Sequence, residues 1–156
     1  MRSIFTLLSL FIINSMLSQN MSTEQIEVKQ TIETFFDGFH KGDTTLMKSV
    51  MMPKVTMQTA FINREGQGVF NDDGGANNLL KAIADRPEDQ KWDERLTSYN
   101  IQIDANMANA WVGYEFWYNE AFSHCGVNSF QLVKTENKWK IIYLIDSRRK
   151  SSCNKD

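Results

Sequence analysis

The side chains of Glu115 and His124 could form an acid/base pair if the chain between them folds back on itself. A two-residue turn at Asn119 and Glu120 would bring Glu115 directly opposite His124 on the neighbouring strand. A carboxylate beside an imidazole favours the charged form of the ring, and such a pair can act as general base and general acid. The sequence therefore predicts Glu115 and His124 as catalytic residues.

A group of polar and aromatic residues could form a ligand site around this pair. Asn128 and Tyr143 are predicted to share the inner face of a sheet with His124 and to supply directional contacts. Aromatic walls would come from three further residues, Trp111, Trp117 and Phe36. His40 follows Phe36 by one helical turn. It either looks into a cavity or lies partly exposed at a helix C-terminus, where the helix dipole favours it.

Three interpretations of this polar group stay open. Glu115, His124 and Asn128 form a satisfied buried network that fixes strand register, a ligand pocket without turnover, or a catalytic site. In the catalytic case His124 would be the base, Glu115 would orient it, and Tyr143 or Asn128 would steady a developing oxyanion. That chemistry corresponds to a lyase or isomerase that needs no cofactor.

A predicted three-stranded meander over residues 109–149 must position these side chains. Apolar, aromatic and β-branched runs are separated there by two short polar breaks, which is typical of antiparallel strands. The second break should form a hairpin loop with an even number of residues, either Glu136 and Asn137 or a pair shifted by one position. His124 and Asn128 then lie on the more apolar face, which we take as the inner one. Gly113 is typical of a β-bulge, which would reverse the face of every residue before it.

The preceding part of the chain is predicted to hold helices and shorter strands. Apolar residues at helical spacing predict a first helix that ends at Gly42, and Asp43 is predicted to cap a second one. The predicted elements are helices over 24–41, 44–51 and 76–85, a strand over 55–61, a short strand ending near residue 70, and a strand over 92–104. This order predicts a single α+β domain in which N-terminal helices cover a strongly curved antiparallel sheet.

Composition and charge narrow the possible functions. The 156 residues are 42% hydrophobic and 23% charged, and the formal net charge of −2 offers no electrostatic case for nucleic acid. The acidic stretch at Asp72 and Asp73 lacks the spacing of a calcium loop, and we interpret it as a solvated turn. Zinc-ligand spacing and phosphate-cradling glycine loops are missing from the sequence, so neither a metal nor a cofactor is expected.

The first twenty residues have the pattern of a signal peptide. Arg2 precedes an apolar run over 4–17 that is too short for a comfortable membrane span, and Ser18 offers a small residue near a cleavage site. We therefore predict a signal peptide over 1–20, a folded domain over 21–150 and a tail over 151–156. The mature protein would be periplasmic or secreted and free of the membrane. Translation from Met21 would instead give a cytoplasmic protein.

The two cysteines allow two outcomes. In an exported chain Cys125 and Cys153 could form a disulfide, with the tail folding back onto the sheet. Alternatively, Cys125 is a buried thiol and Cys153 a loose thiol in the tail.

The sequence resembles the nuclear transport factor 2-like superfamily, which includes SnoaL-like and ketosteroid-isomerase-like proteins and bacterial lumazine-binding-like proteins. The motifs that carry the resemblance are FFDGFHKGD at 35–43, AWV at 110–112, FSHCGVN at 122–128 and WKII at 139–142. The resemblance covers residues 23–149 and implies a cone-shaped domain. It does not fix a function, because this superfamily hosts isomerases, dehydratases, cyclases and non-catalytic binders.

We therefore expect an exported domain that binds a small molecule. The alternatives are a lyase or isomerase that uses the pair of Glu115 and His124, and a non-catalytic structural or dimerisation domain. We also expect a homodimer through the outer sheet face, because that face would otherwise expose a large apolar patch. The predicted patch consists of Tyr114, Phe116, Tyr118, Val127 and Ile142.

Overall fold

A computed structural model describes residues 20–72, 75–151 and 153, and the predicted signal peptide lies outside the described residues. Three helices precede most of the sheet in the chain. They are α1 (Thr23–Lys41), α2 (Thr44–Ser49) and α3 (Gly75–Ala84). The cap of α1 is Ser22, whose hydroxyl accepts from the backbone N–H of Gln25 while the Gln25 side chain accepts from the N–H of Ser22. The helix ends at Gly42, whose φ of 73° lies in the left-handed region.

Within the described residues, six strands form one sheet in the spatial order β2-β1-β6-β5-β4-β3. They are β1 (Met51–Ile62), β2 (Gly68–Asn71), β3 (Trp92–Asp104), β4 (Met107–Tyr118), β5 (Ala121–Thr135) and β6 (Lys138–Arg149). Neighbouring strands are antiparallel except β1 and β6, which are parallel. The predicted α+β fold is confirmed, with the correction that the sheet is mixed rather than wholly antiparallel.

The two hairpin turns lie where the sequence places them. Tyr118 pairs with Ala121, and Thr135 pairs with Lys138, so each loop holds two residues. The residues of both loops have positive φ, from 47° to 66°. Turns of this kind match the right-handed twist of the strands, and Asn is well suited to the left-handed conformation they require.

Among the described antiparallel strand pairs, three β-bulges change which side chains share a face, and the parallel pair of β1 and β6 has a further register shift between Met51 and Thr56. Phe116 of β4 pairs with His124, and the next residue, Trp117, pairs with Phe122. Ser123 of β5 is therefore an extra residue without a cross-strand partner. Ile142 in β6 and Thr97 in β3 are extra residues of the same kind. Each bulge reverses the alternation of the strand beyond it, and such bulges also bend and twist a sheet. The strands therefore curve around the inner face.

The core lies between α1 and one end of the concave face. From the helix, Val28, Ile32 and Phe35 are buried, and they pack with the inner residues of the sheet. The sheet residues in this core are Met51, Ile101, Ala108, Ala110, Val112, Phe130, Leu132, Trp139, Ile141 and Leu144. None of the helices in the described ranges is long and apolar enough to cross a membrane.

A disulfide joins Cys125 of β5 to Cys153. Of the two outcomes that the sequence left open, the structure therefore contains the disulfide. The two Cα atoms are 5.6 Å apart. Cys125 alternates with the inward residues His124 and Gly126, and its side chain is therefore on the outer face. The tail is in this way tied to the back of the strand that carries His124.

Candidate functional site

A cavity of about 430 Å³ lies on the concave face of the sheet, next to the core residues Phe35, Phe36 and Phe39 of α1. Aromatic side chains from the helix and the sheet form a large part of its wall, together with polar side chains that lie mainly on the sheet. The aromatic and polar residues used below are Phe36, Trp92, Phe116, Tyr118, Glu94, Tyr114, His124, Asn128, Asp146 and Arg148. Mostly apolar cavities with a few convergent polar groups are the usual form of small-molecule sites.

Glu94 of β3 and Asn128 of β5 form the polar centre of this cavity. Asn128 Nδ2 donates a hydrogen bond of 2.7 Å to Glu94 Oε1, and the asparagine is only 2% exposed. Burial raises the pKa of Glu94 from 4.5 to about 7, and the nearby carboxylate of Asp146 acts in the same direction. The hydrogen bond from Asn128 and the charge of Arg148 oppose this rise. The Glu94 carboxyl can therefore hold or release a proton near neutral pH.

His40 fixes the backbone at Glu94. Its Nε2 atom lies 3.0 Å from both the backbone nitrogen and the carbonyl oxygen of Glu94. The ring is at the C-terminal end of α1, 4.0 Å from a carboxylate oxygen of Asp93. Burial lowers the pKa of His40, and the attraction of Asp93 only partly offsets this. His40 thus holds the helix against β3 and positions Glu94 rather than facing the cavity.

Asp146 of β6 forms a second, more fully compensated polar cluster. It accepts hydrogen bonds from Arg148 Nε and from Thr59 Oγ1, both at 2.6 Å. The hydroxyl of Tyr114 donates to the Ser147 carbonyl at 2.9 Å and lies 3.2 Å from Asp146 Oδ2. The carboxylate of Asp146 therefore has a guanidinium and hydroxyl donors around it.

Gly126 makes the position of Tyr114 possible. The two residues are cross-strand partners, and the Tyr114 ring crosses β5 to reach β6. A Cβ atom on Gly126 would lie 1.7 Å from the Ser147 carbonyl oxygen and 2.9 Å from Tyr114 Cε1. Only glycine leaves room for this approach.

His124 lies on the cavity wall beside Phe116 and Tyr114. Its ring centroid is 5.0 Å from that of Phe116 and 5.8 Å from that of Tyr114, and its Nδ1 atom is 3.0 Å from the Ser123 hydroxyl. Burial lowers the pKa of His124, and the positive charge of Arg148 lowers it further. This imidazole is therefore neutral at neutral pH.

The predicted pairing of Glu115 with His124 is wrong. Glu115 pairs with Cys125, whereas His124 pairs with Phe116, because the bulge at Ser123 shifts the register by one residue. Glu115 consequently lies on the outer face, where its Oε2 atom accepts from Trp117 Nε1 at 3.2 Å. A carboxylate beside His124 was expected to raise its pKa unless desolvation offset the effect. Burial lowers that pKa instead, and the carboxylate of Glu115 is on the other side of the sheet.

Of the other predicted site residues, Asn128 and Phe36 line the cavity together with His124. Tyr143 lies on the outer face because the bulge at Ile142 reverses the end of β6, and its hydroxyl donates to Gln58. Trp111 and Trp117 also lie on the outer face, and Trp111 is 55% exposed. A ligand-binding role for His124, Asn128 and Phe36 stays a prediction.

Sequence reasoning missed Glu94, Asp146 and Arg148, along with the inward direction of Tyr114 and Phe116. The alternation of Tyr99, Ile101 and Ile103 predicts the face of β3, but the bulge at Thr97 reverses that face before it reaches Glu94. A signal was present in Trp92 and Leu96, which are apolar residues in phase with Glu94 and out of phase with the rest of the strand. Asp146 was missed because the bulge at Ile142 reverses the alternation of β6 before that residue.

The chemistry of the described cavity is that of hydrogen bonding, aromatic contact and proton exchange. Within the described ranges, three or more histidine, cysteine, aspartate or glutamate side chains nowhere come together in a way that could hold a metal ion. The charged groups on the described wall are Glu94, Asp146 and Arg148. An organic ligand with polar edges suits this set.

Comparison with known proteins agrees with this architecture. The helices on a curved sheet define a nuclear transport factor 2-like fold. A family model described as "Putative lumazine-binding" matches residues 23–144, and the chain belongs to that family. No curated protein matches the chain.

Several solved structures share the fold at low sequence identity. A nuclear transport factor 2-like protein of unknown function from Shewanella baltica is 17% identical with a TM-score of 0.57, over 85% of this chain and 100% of that one. One of unknown function from Methylobacillus flagellatus is 19% identical with a TM-score of 0.60, over 83% and 95%. One from Cytophaga hutchinsonii is 13% identical with a TM-score of 0.59, over 83% and 100%. At such identities the similarity defines the fold alone.

Proposed function

We propose that this protein binds a small, partly aromatic molecule in the cavity on the concave face of its sheet. The observation that carries the proposal is the cavity itself, which combines aromatic walls with the hydrogen-bonded pair of Glu94 and Asn128. A volume of about 430 Å³ suits a molecule of one or two rings. The description of the family points to the same kind of ligand.

The test is a titration with lumazine, the ligand that the family description suggests, followed by tryptophan fluorescence. Trp92 lines the cavity, whereas Trp111 lies on the outer face. We expect saturable quenching that is largely lost in Trp92→Phe and retained in Trp111→Phe. Quenching that does not saturate, or that survives in Trp92→Phe with unchanged amplitude, would contradict binding in this cavity.

A second candidate function is proton transfer to a bound ligand, as in a lyase or isomerase. The predicted pair of Glu115 and His124 no longer supports it, but the carboxyl of Glu94 does, because its pKa of about 7 suits a general acid or base. Exchange of acidic C–H protons of a cyclic ketone in heavy water would test this. Exchange that Glu94→Gln abolishes supports catalysis, and exchange at the buffer rate opposes it.

The cellular location and the assembly are further parts of the proposal. Export is supported by the disulfide between Cys125 and Cys153, because such bonds persist in oxidising compartments. The outer-face patch is smaller than predicted, since Tyr114, Phe116 and Tyr118 line the cavity instead. Trp111 gives this face an exposed apolar centre, on which a homodimer could still form. Light scattering of the wild type and of Trp111→Glu would measure the assembly.

A further inference from the structure

We propose that the cavity selects a planar nitrogen base that carries a positive charge, with Glu94 as its counter-ion. Amidines, cyclic guanidines and protonated amino-heterocycles belong to this class. The inference rests on the proposed function and names the ligand chemistry of the same site. It follows from an unequal distribution of partners between the two carboxylates of the cavity.

The carboxylate of Asp146 is already neutralised by the protein. Arg148 supplies a full positive charge at 2.6 Å, and Thr59 donates a hydrogen bond of the same length. The hydroxyl of Tyr114 lies 3.2 Å from Asp146 Oδ2. A cationic ligand would have to displace these groups in order to gain from Asp146, so this carboxylate is a poor anchor.

Glu94 is different, because its hydrogen-bond partner is neutral and the charge of Arg148 affects its pKa less than the opposing charge of Asp146 does. Among the described residues, Asn128 is the one group that makes a hydrogen bond to this carboxylate. A carboxylate enclosed by protein is costly unless a charge or several donors compensate it. The side chain of Glu94 lines the cavity, so a bound ligand can supply the positive charge and the N–H donors that the protein does not.

The walls of the cavity suit a flat cation. Phe36, Trp92, Phe116 and Tyr118 present aromatic rings around the space in front of Glu94. Aromatic faces attract cations, and they also stack on planar rings. A planar charged base therefore gains from the walls and from the carboxylate together, whereas an aliphatic amine gains mainly from the carboxylate.

The other groups that face Glu94 leave the described wall with an excess of negative charge when Glu94 is ionised. Asp146 and Arg148 come from β6 and largely neutralise each other. From β5, His124 is neutral because burial and Arg148 lower its pKa, and from β4 the raised pKa of Tyr114 keeps its hydroxyl protonated. The cavity-lining residues of α1, α3, β1 and β2 carry no titratable side chain. His40 of α1 contacts the backbone of Glu94 from outside the cavity, and burial lowers its pKa.

The direction of the pH dependence follows from this set. Burial raises the pKa of Glu94 to about 7, so its carboxyl is largely protonated in mild acid and ionised in mild base. A ligand that stays cationic throughout should therefore bind more tightly as pH rises. Below about pH 6 its preference over a neutral analogue should fade.

Benzamidine and benzamide form a matched pair of probes, since both are planar and of similar size but only benzamidine is charged. We would measure their affinities calorimetrically for the wild type, Glu94→Gln and Glu115→Gln, near pH 8.5 and near pH 5.5. Glu115→Gln removes a carboxylate from the outer face and serves as the control. In the wild type near pH 8.5 we expect benzamidine to bind at least tenfold more tightly than benzamide.

That preference should disappear in Glu94→Gln, persist in Glu115→Gln, and fall at least tenfold near pH 5.5 in the wild type. Equal binding of the two probes by the wild type, or a preference that survives in Glu94→Gln, would overturn the inference. If lumazine quenches Trp92 but benzamidine has no advantage, the inference fails and the proposed function stands. If neither lumazine nor either benzene derivative binds, both fail.

Discussion

Asn128 and Glu94 are joined by a hydrogen bond of 2.7 Å that reaches from β5 to β3 across the intervening strand β4. The bond is possible because the sheet curves, bringing two strands that are not neighbours within reach of each other. It provides one donor to a carboxyl group whose burial raises its pKa to about 7. Glu94 therefore lowers the stability of the empty protein while remaining available to a ligand, a compromise typical of binding and active sites.

The first prediction concerns the stability of Glu94→Gln as a function of pH. In the wild type the pKa of Glu94 rises from 4.5 to about 7 on folding, so its proton favours the folded state. That contribution is fully present below about pH 4.5 and is lost as the pH rises through 7. The variant should therefore gain stability relative to the wild type at pH 8, by on the order of 3 kcal/mol, and little at pH 4.5. Urea denaturation at both pH values measures this.

Glu115→Gln is the matched control for that experiment, because its carboxylate lies on the outer face. Its stability relative to the wild type should be nearly the same at the two pH values. A pH-dependent gain in Glu115→Gln as large as that in Glu94→Gln would show that the effect does not come from the cavity.

A second prediction isolates the bond between Asn128 and Glu94. Asn128→Ala leaves the buried carboxylate without its donor and should cost about 1–3 kcal/mol at pH 8. In the background of Glu94→Gln the same substitution should cost less, because no charge is left uncompensated. Chemical denaturation of the four proteins gives the coupling energy. A coupling near zero would mean that the two side chains do not act together.

The overall fold was predictable because its signals are local. The spacing of Val28, Ile32 and Phe35 gives the first helix, and the residues of two short turns give the hairpins. Both hairpin loops have the predicted length. Each of these features depends on neighbours in sequence, which the sequence displays directly.

The site was only partly predictable, because its register depends on bulges. One extra residue at Ser123 is enough to move Glu115 away from His124, and one at Ile142 is enough to turn Tyr143 outward. A bulge is stabilised by the packing and curvature of the whole sheet. The residue types of Ser123 and Ile142 do not predict a bulge. Gly113 did indicate an irregularity, but the extra residue is Thr97 on the facing strand.

A third prediction tests the close approach at Gly126. A methyl group there would collide with the Ser147 carbonyl and with the ring of Tyr114. Gly126→Ala should therefore lose at least ~3 kcal/mol of stability or fail to fold. The control is Gly68→Ala, since a Cβ atom at Gly68 would meet no atom within 4 Å. Thermal denaturation should leave Gly68→Ala close to the wild type, and an equal loss in both would contradict the packing described.

A fourth prediction concerns the N-terminus. Arg2 and the apolar run over 4–17 predict cleavage near Gln19 or Asn20. N-terminal sequencing of protein taken from its native host should find a start close to those residues. An intact Met1, or a start at Met21, would oppose export.

The last prediction concerns the disulfide and its relation to the cavity. Cys125 alternates with His124 and Gly126 along β5, and its bond to Cys153 ties the tail that follows β6 to that strand. The bond closes a loop with a sequence separation of 28 residues, and a loop of that size should contribute roughly 3–4 kcal/mol in the chain-entropy view. Cys153→Ala should lose about that much stability in urea denaturation. A reducing agent should destabilise the wild type by a similar amount and leave Cys153→Ala unchanged.

Because β6 also carries Asp146 and Arg148, the same variant should weaken the binding of a cavity ligand several-fold. Full stability in Cys153→Ala under oxidising conditions would mean that the bond does not hold the end of the sheet in place.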